Sequence, residues 1–91
     1  MSDLMITKEK NKMQIKYVIT ENGKRLSGIY ANDIPKNWFK FRKNDYLTYP
    51  TKEDAKSDLA YVYGLAKIDC VGQARIDMTN RILNFKIEKV A

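Results

Sequence analysis

The sequence predicts an α+β domain: an antiparallel sheet of β-hairpins with one amphipathic helix packed on one face. Three observations carry that expectation. Met13, Ile15, Tyr17 and Ile19 alternate with Gln14, Lys16, Val18 and Thr20, then run into Asn22-Gly23, a pair that tolerates the positive φ of a type I′ turn. Pro50-Thr51-Lys52-Glu53-Asp54 has the chemistry of a helix start. Ala55, Leu59, Val62, Tyr63 and Ala66 follow at helical spacing.

In chain order, residues 1–12 lack a steady period and are rich in Lys, Asn and Thr, which predicts a flexible basic tail before a single domain over 13–91. With Asn22-Gly23 as a two-residue loop, Ile19 stands opposite Leu26, Tyr17 opposite Gly28 and Ile15 opposite Tyr30, all on one face. Tyr17 would then lie over the bare backbone of Gly28. Lys16, Thr20, Arg25 and Ser27 fall on the other face, which is expected to be wet. Asn32-Asp33 and Pro35 break the sheet, and Pro35 can open one short helical turn. From Trp38 the alternation resumes, with Trp38, Lys40 and Arg42 on one side and Phe39 and Phe41 on the other. Lys43-Asn44-Asp45 reads as a turn and Tyr46 to Tyr49 as the second strand of a second hairpin.

Thr51 is the expected N-cap, its hydroxyl accepting the Asp54 N–H, and Glu53 and Asp54 suit the positive end of the helix dipole. The helix is expected to end between Gly64 and Ile68. Beyond it, Ala74, Ile76 and Met78 alternate with Arg75 and Asp77, and Leu83, Phe85 and Ile87 with Asn84, Lys86 and Glu88. A third hairpin turning at Thr79-Asn80 fits this. The rival is helix from Lys67 to Asn80, against which stands Gly72, at about 1 kcal/mol in a helix interior.

Ninety-one residues suffice for one small core, and a 44 % apolar composition is too rich for a disordered chain. The net charge is +6, and the pI is about 9.5. Such a field favours polyanions, although a Lys-rich surface also serves plain solubility. Histidine is absent, which removes the usual neutral-pH base and the commonest metal ligand. The lone Cys70 has neither a disulfide partner nor a base to activate it, and reads as a small core residue. No catalytic, metal or nucleotide motif appears. These features point away from an enzyme, a cofactor and a membrane span, and toward a reducing, cytoplasmic setting.

The candidate contact surface is Lys36 to Lys43. It holds the only Trp, two of the three Phe and a run of cations, and no acid occurs from Ile34 to Asn44. Lys36, Lys40, Arg42 and Lys43 would contact phosphates, Trp38 would stack on bases, and Lys24 and Arg25 could join from the first hairpin. The plainer alternative makes Trp38, Phe39 and Phe41 core residues and the lysines a solvated edge. Tyr61 lies off the helix stripe and is the helix tyrosine expected to be exposed. The block lacks the Gly/aromatic signature of an RNA-recognition motif and the Gly-X-X-Gly loop of a KH domain.

A hairpin, a strand and then Thr51-Lys52-Glu53-Asp54-Ala55 opening a helix resembles the arm-type DNA-binding domains of phage integrases over Tyr17 to Leu59. The spacing from Gly23-Lys24 to Thr51-Lys52 is longer here. In size and in its Lys/Asn/Tyr-rich composition the chain also resembles the small basic accessory proteins of T-even-like phages. That resemblance implies a blocker of a host nuclease, toxin or defence factor, or an RNA binder, and transfers no site residues. The expected function is a small basic nucleic-acid-binding accessory protein, RNA or single strand first. The alternative is a protein-binding inhibitor whose basic face docks an acidic partner without nucleic acid.

Overall fold

The computed structural model describes residues 16–90, so the basic tail and the Ile15–Tyr30 pair lie outside the described residues. Strand β1, Lys16–Glu21, turns at Asn22-Gly23 into β2, Lys24–Arg25. Both turn residues take positive φ, 54° and 82°. Thr20 pairs with Arg25 and Glu21 with Lys24, and the Leu26 N–H donates to the Ile19 carbonyl at 2.8 Å. The expected register therefore holds. Ile19 and Leu26 are both fully buried.

Past Leu26 the expected ladder ends. Strand β3, Gly28–Ile29, leaves β1 and pairs with β4, Phe39–Lys40. Tyr17 instead exchanges backbone hydrogen bonds with Tyr49 in both directions, each 2.8 Å. The space over Gly28 is already filled by the ring of Tyr30, only 2.8 Å from where a Cβ would stand. The glycine is covered by an aromatic ring, but by one two residues along the same chain. The face expected to be wet is only partly so. Lys16 and Arg25 are exposed, whereas Thr20 and Ser27 are buried. Thr20 donates its hydroxyl to Glu88 at 2.8 Å, and Ser27 is tied to the backbone of Arg42.

Pro35–Asn37 form one 3-10 turn, as the proline suggests, and Trp38 closes it with its N–H on the Pro35 carbonyl. The second hairpin is reduced to a single bridge, Arg42 to Asp45, around Lys43-Asn44. Residues 46–49 then run back to the first hairpin, where the Leu47 N–H donates to the Leu26 carbonyl.

Helix α1, Lys52–Asp69, begins as its sequence requires: Thr51 Oγ1 accepts the Asp54 N–H at 3.1 Å. Thr51→Ala should cost about 1 kcal/mol, read as a lower urea midpoint at unchanged slope. Ala55, Val62 and Ala66 are buried and Leu59 and Tyr63 pack against the core, so the apolar stripe faces inward. The helix passes through Gly64 and ends one residue beyond the expected limit.

The third hairpin is not formed. Residues 72–83 are a second helix, α2, Gly72–Leu83. Gly72 stands at the helix start with φ +60°, so its interior penalty does not arise; it makes the corner between two helices. Met78 and Ile82, one turn apart, point into the core, while Ile76 is exposed. The chain then forms β5, Lys86–Val90, antiparallel to β1 with Ile87 facing Ile19.

The result is an α+β fold with a three-stranded antiparallel sheet in the order β2-β1-β5, the separate β3-β4 pair, and two helices where one was expected. Trp38, Phe39, Tyr49, Val62, Met78, Ile82 and Phe85 share one buried cluster with Ile19 and Leu26. Phe39 and Phe85 meet edge to face at 4.9 Å. Arg81 on α2 grips Glu21 through two 2.8 Å hydrogen bonds, and its guanidinium lies 5.0 Å from the Phe39 ring centre. That contact ties α2 to the end of β1.

Candidate nucleic-acid interface

The first hairpin sends Lys24 and Arg25 into solvent just past its turn, and the Lys43-Asn44 turn does the same for Arg42 and Lys43. Ser27 joins the two. Its N–H donates to the Lys40 carbonyl at 2.7 Å, its hydroxyl donates to the Arg42 carbonyl, and the same oxygen accepts the Arg42 N–H. A serine expected to face water is thus the buried clasp that holds both turns together.

Between the turns lies a cleft of about 420 Å³, lined by Gly23, Lys24, Arg25, Phe41, Arg42, Lys43 and Tyr46. Four cations line it and no acid does. The Arg25 guanidinium lies 4.6 Å from the centre of the Tyr46 ring, a cation–π contact that fixes the head while leaving its N–H edge available. Arg42 pairs with Asp45 at 3.7 Å, but both side chains are well exposed and such a pair is weak. It leaves Arg42 free to exchange Asp45 for a stronger anion.

The structure brings together four of the seven expected contact residues: Lys24, Arg25, Arg42 and Lys43. Lys40 on β4 and Lys36 in the 3-10 turn are exposed but do not line the cleft. Trp38 requires correction as a stacking residue. It is 1 % exposed, and its indole N–H donates to the Asp33 carbonyl at 2.7 Å. A ring so enclosed offers no face to a base. Sequence reasoning missed Phe41 and Tyr46 as lining residues. The alternation puts Phe41 with Phe39 on the side away from Lys40 and Arg42, but β4 ends at Lys40 and Phe41, only half-buried, turns up beside the cations. Tyr46 adjoins the cationic turn, and that adjacency was its one local signal.

A larger cleft of about 610 Å³ is lined by Tyr30, Asp33, Asp58, Tyr61 and Leu65 among others. It carries two acids and no cation, so a polyanion finds no partner there. Tyr61 is exposed, as its place off the stripe predicts. Asp58 accepts a 2.6 Å hydrogen bond from the Tyr49 hydroxyl. Burial, and then the bond to Asp58 and its negative charge, hold the Tyr49 proton well above its ordinary range. Tyr49 is accordingly a structural hydrogen-bond donor.

Cys70 is buried and free. Among the described residues no group of three or more His, Cys, Asp or Glu could hold a metal ion, and no helix is long and apolar enough to cross a membrane. No protein-family model, curated protein or solved structure matches the chain.

Proposed function

We propose that this is a small nucleic-acid-binding accessory protein, RNA or single strand first, working in the cytoplasm without catalytic chemistry of its own. One observation carries the reading: Lys24, Arg25, Arg42 and Lys43 converge on one cleft that no acid lines. Four cations whose one acidic neighbour is Asp45, weakly paired with Arg42 at 3.7 Å, form a field that seeks a polyanion. With Trp38 in the core, binding rests on phosphate contacts, and any contact to a base or sugar falls to Phe41 and the uncovered side of Tyr46. Such a site discriminates poorly between sequences, because phosphates carry no base identity. A host nuclease, toxin or defence factor as partner follows from the resemblance in size and composition alone.

The test is a fluorescence-anisotropy titration of a labelled single-stranded RNA at several salt concentrations. Four phosphate contacts should give a log–log salt slope of about −2.8, at roughly 0.7 per contact. Base composition should matter little. Absence of binding at about 50 mM salt, where such contacts are strong, would remove the reading. The rival is an inhibitor whose basic face docks an acidic protein without touching nucleic acid. On that reading no labelled RNA binds, and generic RNA leaves the complex with an acidic protein intact, whereas it competes away a nucleic-acid activity.

A further inference from the structure

We propose that the cleft between the two turns seats a compact polyphosphate, two or three linked phosphoryl groups carried on the 5′ end of a strand or on a free nucleotide. The proposal rests on the reading of this cleft as a polyanion site and makes its ligand specific.

The shape of the positive charge is the argument. Phosphates inside a strand carry one charge per nucleotide and are strung along the backbone. Proteins that follow such a backbone set their cations along a groove. Here Lys24, Arg25, Arg42 and Lys43 line one concavity of about 420 Å³. That volume falls in the range of small-molecule sites, roughly 300–1,000 Å³. Lys36 and Lys40, the residues that would extend a track, do not line it. The charge is gathered, not spread.

A terminal phosphoryl group carries about −1.5 to −2 at neutral pH, against one for an internal phosphodiester. Two or three linked groups therefore bring into one small volume a charge that four cations can match. Arg25 is already ordered for this by the Tyr46 ring beneath it. Phe41 and Tyr46 give the same cleft an apolar wall, against which a sugar or base next to the phosphates can lie. Asp45, the acid beside Arg42, is exposed and held at only 3.7 Å, so a polyphosphate can displace it.

The experiment compares two 3′-labelled oligonucleotides of one sequence, bearing a 5′-triphosphate or a 5′-hydroxyl, by anisotropy with the full chain at about 150 mM salt, where diffuse surface charge is screened. The triphosphate end should bind about tenfold tighter or more, given the added contacts. Inorganic tripolyphosphate should compete for it. Arg25→Gln with Lys43→Gln should erase the preference while circular dichroism shows the fold retained. ATP competing as well as tripolyphosphate supports a free nucleotide as the source; ATP competing poorly against the triphosphate strand supports a strand end. Equal affinity for the two oligonucleotides overturns the polyphosphate proposal and leaves nucleic-acid binding standing. Binding of ATP and tripolyphosphate with neither oligonucleotide keeps the seat and overturns nucleic-acid binding. No binding by any probe overturns both.

Discussion

Trp38→Ala is expected to destabilise the protein by about 3–5 kcal/mol, a large share of what a domain of this size possesses. Trp38 is the largest fully buried side chain among the described residues. It packs edge-on to Phe39 at 6.5 Å, and through Phe39 it reaches Phe85 at the head of β5. Removing it empties a large volume within the buried cluster that it shares with Phe39, Val62, Met78 and Phe85. It also strips the Asp33 carbonyl of its indole donor. Trp38→Phe separates these effects, since it keeps most of the bulk and loses the hydrogen bond, at about 1 kcal/mol. Urea unfolding followed by far-UV circular dichroism measures both. The result also bears on function: a surface stacking residue would lose ligand affinity at unchanged stability, whereas Trp38→Ala should lose stability first.

What was legible in the sequence was what short-range chemistry decides. Asn22-Gly23 fixes the turn, and the turn fixes Ile19 against Leu26, with no distant residue consulted. Thr51 caps α1 by a bond to Asp54 three residues on. The errors lie where a distant segment competes. Tyr17 could have met Gly28, but Tyr49, remote in sequence, supplies a paired backbone once Tyr30 has filled the space over the glycine. Residues 74–78 satisfy a two-residue period and a helical one equally well over so short a run, and what decides is Gly72, whose positive φ lets α2 start afresh after α1. For the site, the four cations were legible as charges, but their convergence was not. It depends on Ser27, whose buried bonds to Arg42 are invisible to face-counting. For Trp38 the alternation misleads because the strand begins only at Phe39; Trp38 precedes it as the C-cap of the 3-10 turn.

Neutralising the cleft by Lys24→Gln, Arg25→Gln, Arg42→Gln and Lys43→Gln together should give the largest functional loss. Each lost phosphate contact at an exposed position costs on the order of 0.5–1 kcal/mol, so the four should weaken single-strand binding by about 2–4 kcal/mol, roughly 30- to 1,000-fold. The salt slope should fall by about 2.8, leaving little salt dependence. The fold should survive, because Lys24, Arg25, Arg42 and Lys43 are all exposed and Ser27 grips Arg42 through its backbone, which glutamine preserves. Loss of the Arg25–Tyr46 contact should cost only about 0.5–1 kcal/mol of stability. Taking four charges from +6 leaves +2, so a charge-matched control is needed. Lys52, Lys56, Lys86 and Lys89 are exposed on α1 and β5 and line no part of the cleft. Replacing those four by Gln brings the protein to the same net charge with the cleft intact. If the field of the whole protein did the binding, both quadruple variants would lose affinity alike, and the cleft would not be the site. If the cleft does it, the control should keep affinity within a few-fold of the native protein and most of its slope, because exposed charges beyond the Debye length, about 8 Å at physiological salt, are screened from the ligand.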